Sequence, residues 1–295
     1  MKKQIDALGP FLFLMGGLGC GGFEVADEPG PVGHQGVEPV GHIETSEAPL
    51  EGGEDVSVGT IAKTGAVLVN DPGCSGTLVT PWWVLTAQHC GATAAGFVIL
   101  GNANSVGTPR AMIQEVFDKP GFPSDGMCRP NDATLLKLVT PIFPDHVVAA
   151  PGRTWEGYRR NLYRGSMNSL LNTSVDIFGY GASNGSGGGL GILRFATFTV
   201  DDIETEYLDY NEIHDEATHG GDSGAGVLTP ATSAGLVENY EIAAVHRCTT
   251  VWGTHQGVRA DRLTAWFDST IGSWWTTFDY PSRVFAANLR VGILR

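Results

Sequence analysis

A short glycine-rich segment carries the residue types needed for nucleophilic catalysis. It reads GGDSG over residues 220–224, and glycines beside a serine allow a tight turn that exposes the serine hydroxyl and neighbouring backbone amides. Upstream, TAQHC (residues 86–90) supplies an imidazole at His89, and NDATLL (residues 131–136) supplies a carboxylate at Asp132. The three segments therefore offer a nucleophile, a base and an orienting acid.

These residue types have complementary tasks in acyl transfer. The hydroxyl of Ser223 is a poor nucleophile at neutral pH and needs a base to take its proton. An imidazole such as that of His89 is suited to this role, and a carboxylate such as that of Asp132 fixes the imidazole tautomer. The attacked carbonyl develops negative charge, which the backbone amides of Gly221 and Ser223 are expected to stabilise.

Composition limits the remaining function classes. The chain has 295 residues, 42% of them hydrophobic and 17% charged, as in an ordinary globular protein. Its net charge of −14, with 18 Lys and Arg residues, argues against a nucleic-acid partner. Short paired cysteine spacing is absent from the sequence, so we expect no metal, and no cofactor motif is present.

The elements that must position these side chains read as β-strands. Short β-rich runs separated by Gly, Pro, Asn and Asp turns are typical of barrels or sandwiches. The clearest helix is predicted over residues 262–271, with Leu263, Trp266 and Phe267 on one face and Gly272 as its stop. The predicted strands are residues 65–69, 76–79, 82–85, 96–100 and 175–179.

The first 20 residues resemble an export signal. Lys2 and Lys3 precede an apolar run at residues 11–15 that is far shorter than the roughly 20 residues of a membrane span. The segment ends in LGC, which resembles a bacterial lipoprotein processing box at Cys20. We therefore expect either an exported soluble protein or a surface or periplasmic lipoprotein tethered to the membrane through Cys20.

Two flanking segments differ from the central part. Residues 21–60 contain nine acidic residues, four prolines and no Lys or Arg, which predicts a flexible acidic tether or propeptide. Residues 273–295 extend beyond the predicted helix and have no assigned role. The central domain is predicted to span residues 61–272.

The catalytic segments resemble the chymotrypsin/trypsin-like serine proteases. The resemblance rests on CSGTL (74–78), VLTAQHC (84–90), NDATLL (131–136) and GDSG (221–224), in that order, with FGYG (178–181) between the last two. It covers roughly residues 50–272. It implies an all-β fold of two perpendicular six-stranded Greek-key barrels with a short C-terminal helix and the triad in the cleft between them.

The resemblance also implies a function. We expect a secreted serine endopeptidase that cleaves protein or peptide substrates as a monomer, with His89, Asp132 and Ser223 as the triad. Two alternatives remain: a catalytically silent binding protein on the same fold, and a zymogen that stays latent because its tether is never cut.

Activation is where the sequence departs from the family. Family members use a freed hydrophobic amino terminus to pair with the acid before the serine, here Asp222. No Lys or Arg occurs between Lys3 and Lys63, so a trypsin-type cut there is excluded. Either a protease of another specificity processes the tether, or Asp222 is satisfied differently, for example by a neighbouring side chain.

Specificity is predicted from positions around the serine. Ungapped counting places Ala217 at the pocket floor, where trypsins carry an acid, and the family pattern adds Gly257 as a substrate-binding position. Thr218 and His246 resemble the pair that glutamyl endopeptidases use for an acidic side chain. The alternative is that His246 is an ordinary hydrogen-bonded strand histidine. We assign no role to the remaining histidines and expect them on the surface or in loops: His34, His42, His146, His214 and His255.

Four cysteines remain in the body of the chain, which allows three pairings. The family pattern implies a Cys74–Cys90 disulfide that pins the histidine loop. Cys128 and Cys248 match no common family bridge, but the resemblance places both on the same side of the cleft. We predict that they pair. Peptide mapping without reductant should recover a Cys128–Cys248 crosslinked peptide, and free thiols at both positions would contradict the pairing.

Overall fold

A computed structural model of the chain describes residues 53–56, 61, 63–70, 73–103, 108–123, 129–142, 160–183, 188–212, 217–229, 240–250 and 253–272. All of them belong to one compact unit, Ser46–Arg295. The strands in chain order are β1 (Glu54–Asp55), β2 (Ala66–Asn70), β3 (Cys74–Thr80), β4 (Trp83–Thr86), β5 (Phe97–Ile99), β6 (Arg110–Asp118), β7 (Thr134–Leu138), β8 (Ser174–Gly179), β9 (Arg194–Ile203), β10 (Tyr207–Glu212), β11 (Gly226–Thr229), β12 (Glu241–Thr249) and β13 (His255–Arg259).

The first six-stranded barrel is closed and antiparallel. Its strands follow the order β2-β3-β4-β7-β6-β5 around the barrel. Val67, Leu78, Leu85 and Leu135 are among the side chains with at most 1% exposure that fill it. Burial of these apolar side chains holds the loops that follow β4 and precede β7 in fixed positions.

The second barrel closes because β8 pairs with both β9 and β11. The ring then runs β8-β9-β10-β13-β12-β11, and all its pairings are antiparallel. Strand β1 adds to the edge of β9, with Glu54 opposite Phe195 and Asp55 opposite Arg194. The sequence interpretation had placed Glu54 and Asp55 in the flexible tether. The structure corrects that boundary, because strand pairing and the burial of Val56 in the core tie these residues to the barrel.

One α-helix, α1 (Ala260–Ile271), closes the described part of the chain. It buries Leu263, Phe267 and Ile271 and ends at Gly272, so the predicted helix is confirmed and begins two residues earlier than expected. The five predicted strands are also confirmed, each to within two residues at either end. No helix among the described residues is long and apolar enough to cross a membrane.

The barrels bring loops from distant parts of the chain to one place. His89 lies in a short 3₁₀ turn, Gln88–Cys90, that directly follows β4. Asp132 lies two residues before β7, and Ser223 three residues before β11. Two of the candidate catalytic side chains therefore come from the first barrel and the third from the second.

Candidate active site

His89 and Asp132 form a buried hydrogen-bonded pair. The ring nitrogen Nδ1 of His89 lies 2.6 Å from Oδ2 of Asp132, and the His89 backbone N–H donates to Oδ1 over 2.9 Å. The Asp132 side chain is fully buried, whereas 10% of the His89 side chain is exposed. Because a carboxylate only accepts, Nδ1 carries the proton in the neutral ring, which leaves Nε2 free to act as a base.

The serine turn packs directly onto the histidine loop. The Ser75 backbone N–H donates to the Ser223 carbonyl oxygen over 2.9 Å, and Sγ of Cys90 lies 3.7 Å from that same oxygen. Gly224 permits this approach, because a Cβ there would come within 2.0 Å of Thr86 Oγ1 and 2.3 Å of the Ser75 carbonyl oxygen. The predicted Cys74–Cys90 disulfide is confirmed and ties the histidine loop to β3.

The peptide groups of the turn have fixed orientations. The Gly220 carbonyl accepts a 3.0 Å hydrogen bond from the Ala182 N–H. Since the C=O and N–H of a trans peptide point in opposite directions, this bond directs the Gly221 N–H away from Ala182. Gly221 has φ +104°, a conformation that side-chain-bearing residues rarely adopt. The Ser75 hydroxyl accepts from the Tyr180 N–H and donates to the Gly221 carbonyl, each over 2.8 Å.

Backbone amides satisfy the buried carboxylate of Asp222. It has no exposed surface and accepts from the N–H groups of Gly181 at 2.8 Å and His219 at 2.9 Å. Burial raises its pKa to about 6, opposed by those two hydrogen bonds and by the charges of His219 and Arg194. The hydrogen-bond donors to Asp222 are thus two backbone amides and not the neighbouring side chain that the sequence suggested.

Thr218 and His246, predicted from separate parts of the sequence, join one buried polar cluster. Thr218 Oγ1 lies 2.9 Å from both Thr249 Oγ1 and His255 Nδ1. The Tyr210 hydroxyl lies 2.5 Å from His246 Nδ1, and the Tyr210 and His255 rings stack 6.0 Å apart. Thr218 and His246 are 5% and 2% exposed, so solvent does not compete for these contacts.

His255 was expected on the surface or in a loop, and that prediction was wrong. It lies in β13, is 2% exposed, and its Nδ1 is within 2.9 Å of both Thr218 and Thr249 hydroxyls. Burial lowers its pKa to about 4 and lowers the pKa of His246 well below the ordinary value, so both rings are neutral at pH 7. The sequence HQGVR has no alternating apolar pattern, so no local signal indicated its burial. The other four histidines without a role lie outside the described residues.

The two remaining predicted pocket residues have different surroundings. Ala217 is half-buried directly before Thr218. A Cβ on Gly257 would come within 2.7 Å of Ala244 Cβ and 3.1 Å of the Val245 carbonyl oxygen. The structure thus gives Gly257 a packing role between strands, and its substrate-binding role stays a prediction.

Sequence reasoning missed Arg247, a buried cation next to His246 on β12. It is 2% exposed, its guanidinium carbon lies 3.4 Å from the centroid of the Tyr207 ring, and it donates to Gln256 Oε1. Gln256 in turn donates to Asp209, whose pKa burial raises to about 6. The only sequence signal was a charged residue directly after the apolar run IAAV and His246 (residues 242–246). A charge in such a run is expected to be paired or functional.

The described residues contain one group of potential metal ligands, and its two cysteines form the Cys74–Cys90 disulfide. Cys74, His89 and Cys90 place ligand atoms within 4.8 Å of one another, but both sulfurs belong to the disulfide and are not thiolate ligands. Cys248 is disulfide-bonded. Its predicted partner, Cys128, and the lipidation candidate, Cys20, lie outside the described residues, so both proposals about them stay predictions.

Gly181 leaves the space that the Asp222 carboxylate occupies. A Cβ at Gly181 would lie 2.4 Å from Asp222 Cγ and Oδ2. We predict that Gly181→Ala lowers the free energy of unfolding by about 1–3 kcal/mol through overpacking, measured by urea denaturation. Gly220→Ala is the control, since its Cβ would meet nothing within 4 Å. Equal stability of the two variants would contradict this account.

Comparison with known proteins agrees with this geometry. The trypsin family model matches residues 51–238, which is more than half of the chain. Among solved structures, human heparin binding protein superposes with a TM-score of 0.58 at 16% sequence identity, covering 74% of this chain and 95% of that one. A mutant of human heparin binding protein (CAP37) superposes with a TM-score of 0.57 at 16% sequence identity, covering 74% of this chain and 94% of that one. At this identity the structures show a shared fold, and the family match shows that the chain belongs to the trypsin family.

Proposed function

We propose that this protein is a serine endopeptidase. Ser223 Oγ attacks the scissile carbonyl carbon while its proton passes to Nε2 of His89. The amides of Gly221 and Ser223 stabilise the resulting oxyanion. His89 then donates that proton to the leaving amine as the C–N bond breaks. Water, deprotonated by His89, hydrolyses the acyl-enzyme and restores the serine.

The observation that carries the proposal is the His89–Asp132 pair beneath the serine turn. The 2.6 Å contact fixes the tautomer that leaves Nε2 as a base. The Ser75–Ser223 hydrogen bond, the 3.7 Å approach of Cys90 Sγ to the Ser223 carbonyl oxygen and the close approach of Gly224 to Thr86 support a serine turn packed on the histidine loop. A protein that used this surface only for binding would have no need for a fixed histidine tautomer.

Active-site labelling tests the proposal. A fluorophosphonate should modify wild-type protein at Ser223, located by peptide mapping, and Ser223→Ala should remain unmodified. Asp132→Asn should lower kcat by about 10³–10⁴-fold, because the histidine would adopt the wrong tautomer. Ser269→Ala, on the exposed face of α1, is the control and should label like wild type.

Absence of labelling in a folded wild-type protein, with residues upstream of Gly53 attached or removed, would favour the alternative of a silent binding protein. Both structural neighbours are named for heparin, a polyanion. This chain has a net charge of −14, which disfavours a polyanion as its ligand. A binding role would therefore need a different ligand from theirs.

We further propose that the enzyme prefers an acidic residue before the scissile bond. Thr218 and His246 lie in one buried cluster, joined through His255 and Tyr210. When the Tyr210 hydroxyl donates to Nδ1 of His246, Nε2–H of that ring is a donor for a substrate carboxylate. A hydroxyl and an imidazole are both suited to that role.

Matched peptides with Glu, Gln, Leu or Arg at the cleavage position test this preference. We expect kcat/KM to be highest for Glu. Thr218→Val should reduce the value for Glu by about 10–100-fold, because a hydrogen bond to a charged group is lost, and should leave Leu nearly unchanged. Thr264→Val, whose hydroxyl bonds the helix backbone at Ala260, is the control. A wild-type preference for Arg or Leu would contradict the proposal.

An acid-specific enzyme would find substrates in its own upstream segment. Residues 21–60 contain nine acidic residues, so self-processing there is part of the proposal. We also propose export of the protein through residues 1–20, either as a soluble monomer or anchored at Cys20. Mass spectrometry of the mature protein's amino terminus distinguishes these two forms.

A further inference from the structure

Arg194 joins the upstream strand β1 to the second barrel. Its Nε donates to Asp55 Oδ1 over 2.9 Å, and the backbone N–H of Val56 donates to the Leu193 carbonyl over 3.1 Å. The Arg194 side chain is only 4% exposed. A guanidinium buried to this degree must find acceptors, which makes its contacts informative.

The other contacts of Arg194 run to the loop before β9. Its Nη1 donates to the Gly189 carbonyl over 2.8 Å and to the Ile192 carbonyl over 3.0 Å. One rigid, planar cation thus fixes two carbonyls of a short loop at the same time. We call residues 188–193 the roof loop.

The roof loop rests on the serine turn. The Gly191 N–H donates to the Tyr180 carbonyl over 2.8 Å, beside the Gly181 N–H that binds Asp222. Leu190 is 51% exposed, yet its Cδ1 lies 2.7 Å from the position that a Cβ on Gly221 would occupy. The loop therefore covers the glycine whose amide is the proposed oxyanion donor.

We propose that Arg194 is a positioning residue for the oxyanion turn, acting through the roof loop, and that its contact with β1 makes this turn competent in the full 295-residue chain. This inference rests on the proposed endopeptidase function. In this proposal, the Arg194 side chain orders the oxyanion turn in the uncut polypeptide. Cleavage upstream of Gly53 is then not required for activity.

The two sets of acceptors that bind Arg194, the Asp55 carboxylate and the roof-loop carbonyls, differ in their importance for the position of the loop. The Asp55 side chain is 70% exposed, so its ion pair with Arg194 is weak in water. The two carbonyls that Arg194 binds belong to the roof loop itself, so these contacts matter more for the position of the loop. The charge of Arg194 also opposes the burial-driven rise in the pKa of Asp222, which favours the carboxylate that accepts from Gly181.

Steady-state kinetics on the full chain test the inference. Arg194→Gln should lower kcat at least about tenfold with KM within about twofold, because oxyanion contacts act in the transition state. Asp55→Asn should have a smaller effect, and the double variant should match Arg194→Gln, since the two residues act as one unit. Arg164→Gln is the matched control, because Arg164 pairs with Asp268 on the exposed side of α1. It should keep wild-type kcat.

Leu190→Ala gives a second test that does not remove a buried charge. This exposed side chain adds little to the core, so the variant should fold, and its kcat should fall while its melting temperature stays near that of wild type. If Arg194→Gln is unfolded, Leu190→Ala decides the question.

The outcomes separate this inference from the function on which it rests. If Arg194→Gln folds and keeps the wild-type kcat, the inference is overturned while the endopeptidase function stands. If Arg194→Gln does not fold, a wild-type kcat in Leu190→Ala has the same consequence. So does wild-type protein that is labelled only after removal of the residues upstream of Gly53. Wild-type protein that is folded but never labelled, cut or uncut, overturns both.

Discussion

The two barrels meet at Ser75, and the site depends on that meeting point. Its backbone N–H holds the Ser223 carbonyl, and its hydroxyl links the Tyr180 N–H to the Gly221 carbonyl. Ser75 is fully buried, so water does not compete for these hydrogen bonds and their geometry is well defined. Through one residue of β3, the first barrel sets the orientation of two peptide groups in the turn of the second. The serine turn and the histidine loop thus share one rigid support.

Several buried polar groups lie around this support, and most of those in the candidate site have hydrogen-bond partners. Asp222 has two amide donors, Asp132 has two contacts with His89, and Thr218 has two hydrogen-bonding neighbours. Each group would be costly to bury alone. In a shared network they make one arrangement much more favourable than its alternatives, which is what a preorganised site requires. Among the described residues near the site, the exceptions are Oε1 of Gln88, beside His89, and Nε and Nη1 of Arg247, whose guanidinium lies over the Tyr207 ring.

The upstream segment shows a boundary that the local sequence did not predict. The prediction of a tether ended at residue 60, yet Glu54 and Asp55 form a strand against β9. The many acids and few apolar residues of that segment predict a tether, and most of it lies outside the described residues. They could not show that Asp55 lies opposite Arg194, because only strand pairing places residues so far apart in sequence next to each other.

The sequence by itself determined the fold class, the order of the candidate catalytic segments, the Cys74–Cys90 disulfide and the late helix. Those features follow from local patterns: alternating apolar residues, glycines at tight turns, and short motifs that match a family. Tertiary structure alone decided that His255 is buried beside Thr218, that Gly257 packs against Ala244, and that Arg194 binds Asp55. The physical reason is that these contacts join residues distant in sequence. No local pattern encodes which face of one strand meets a particular loop of another.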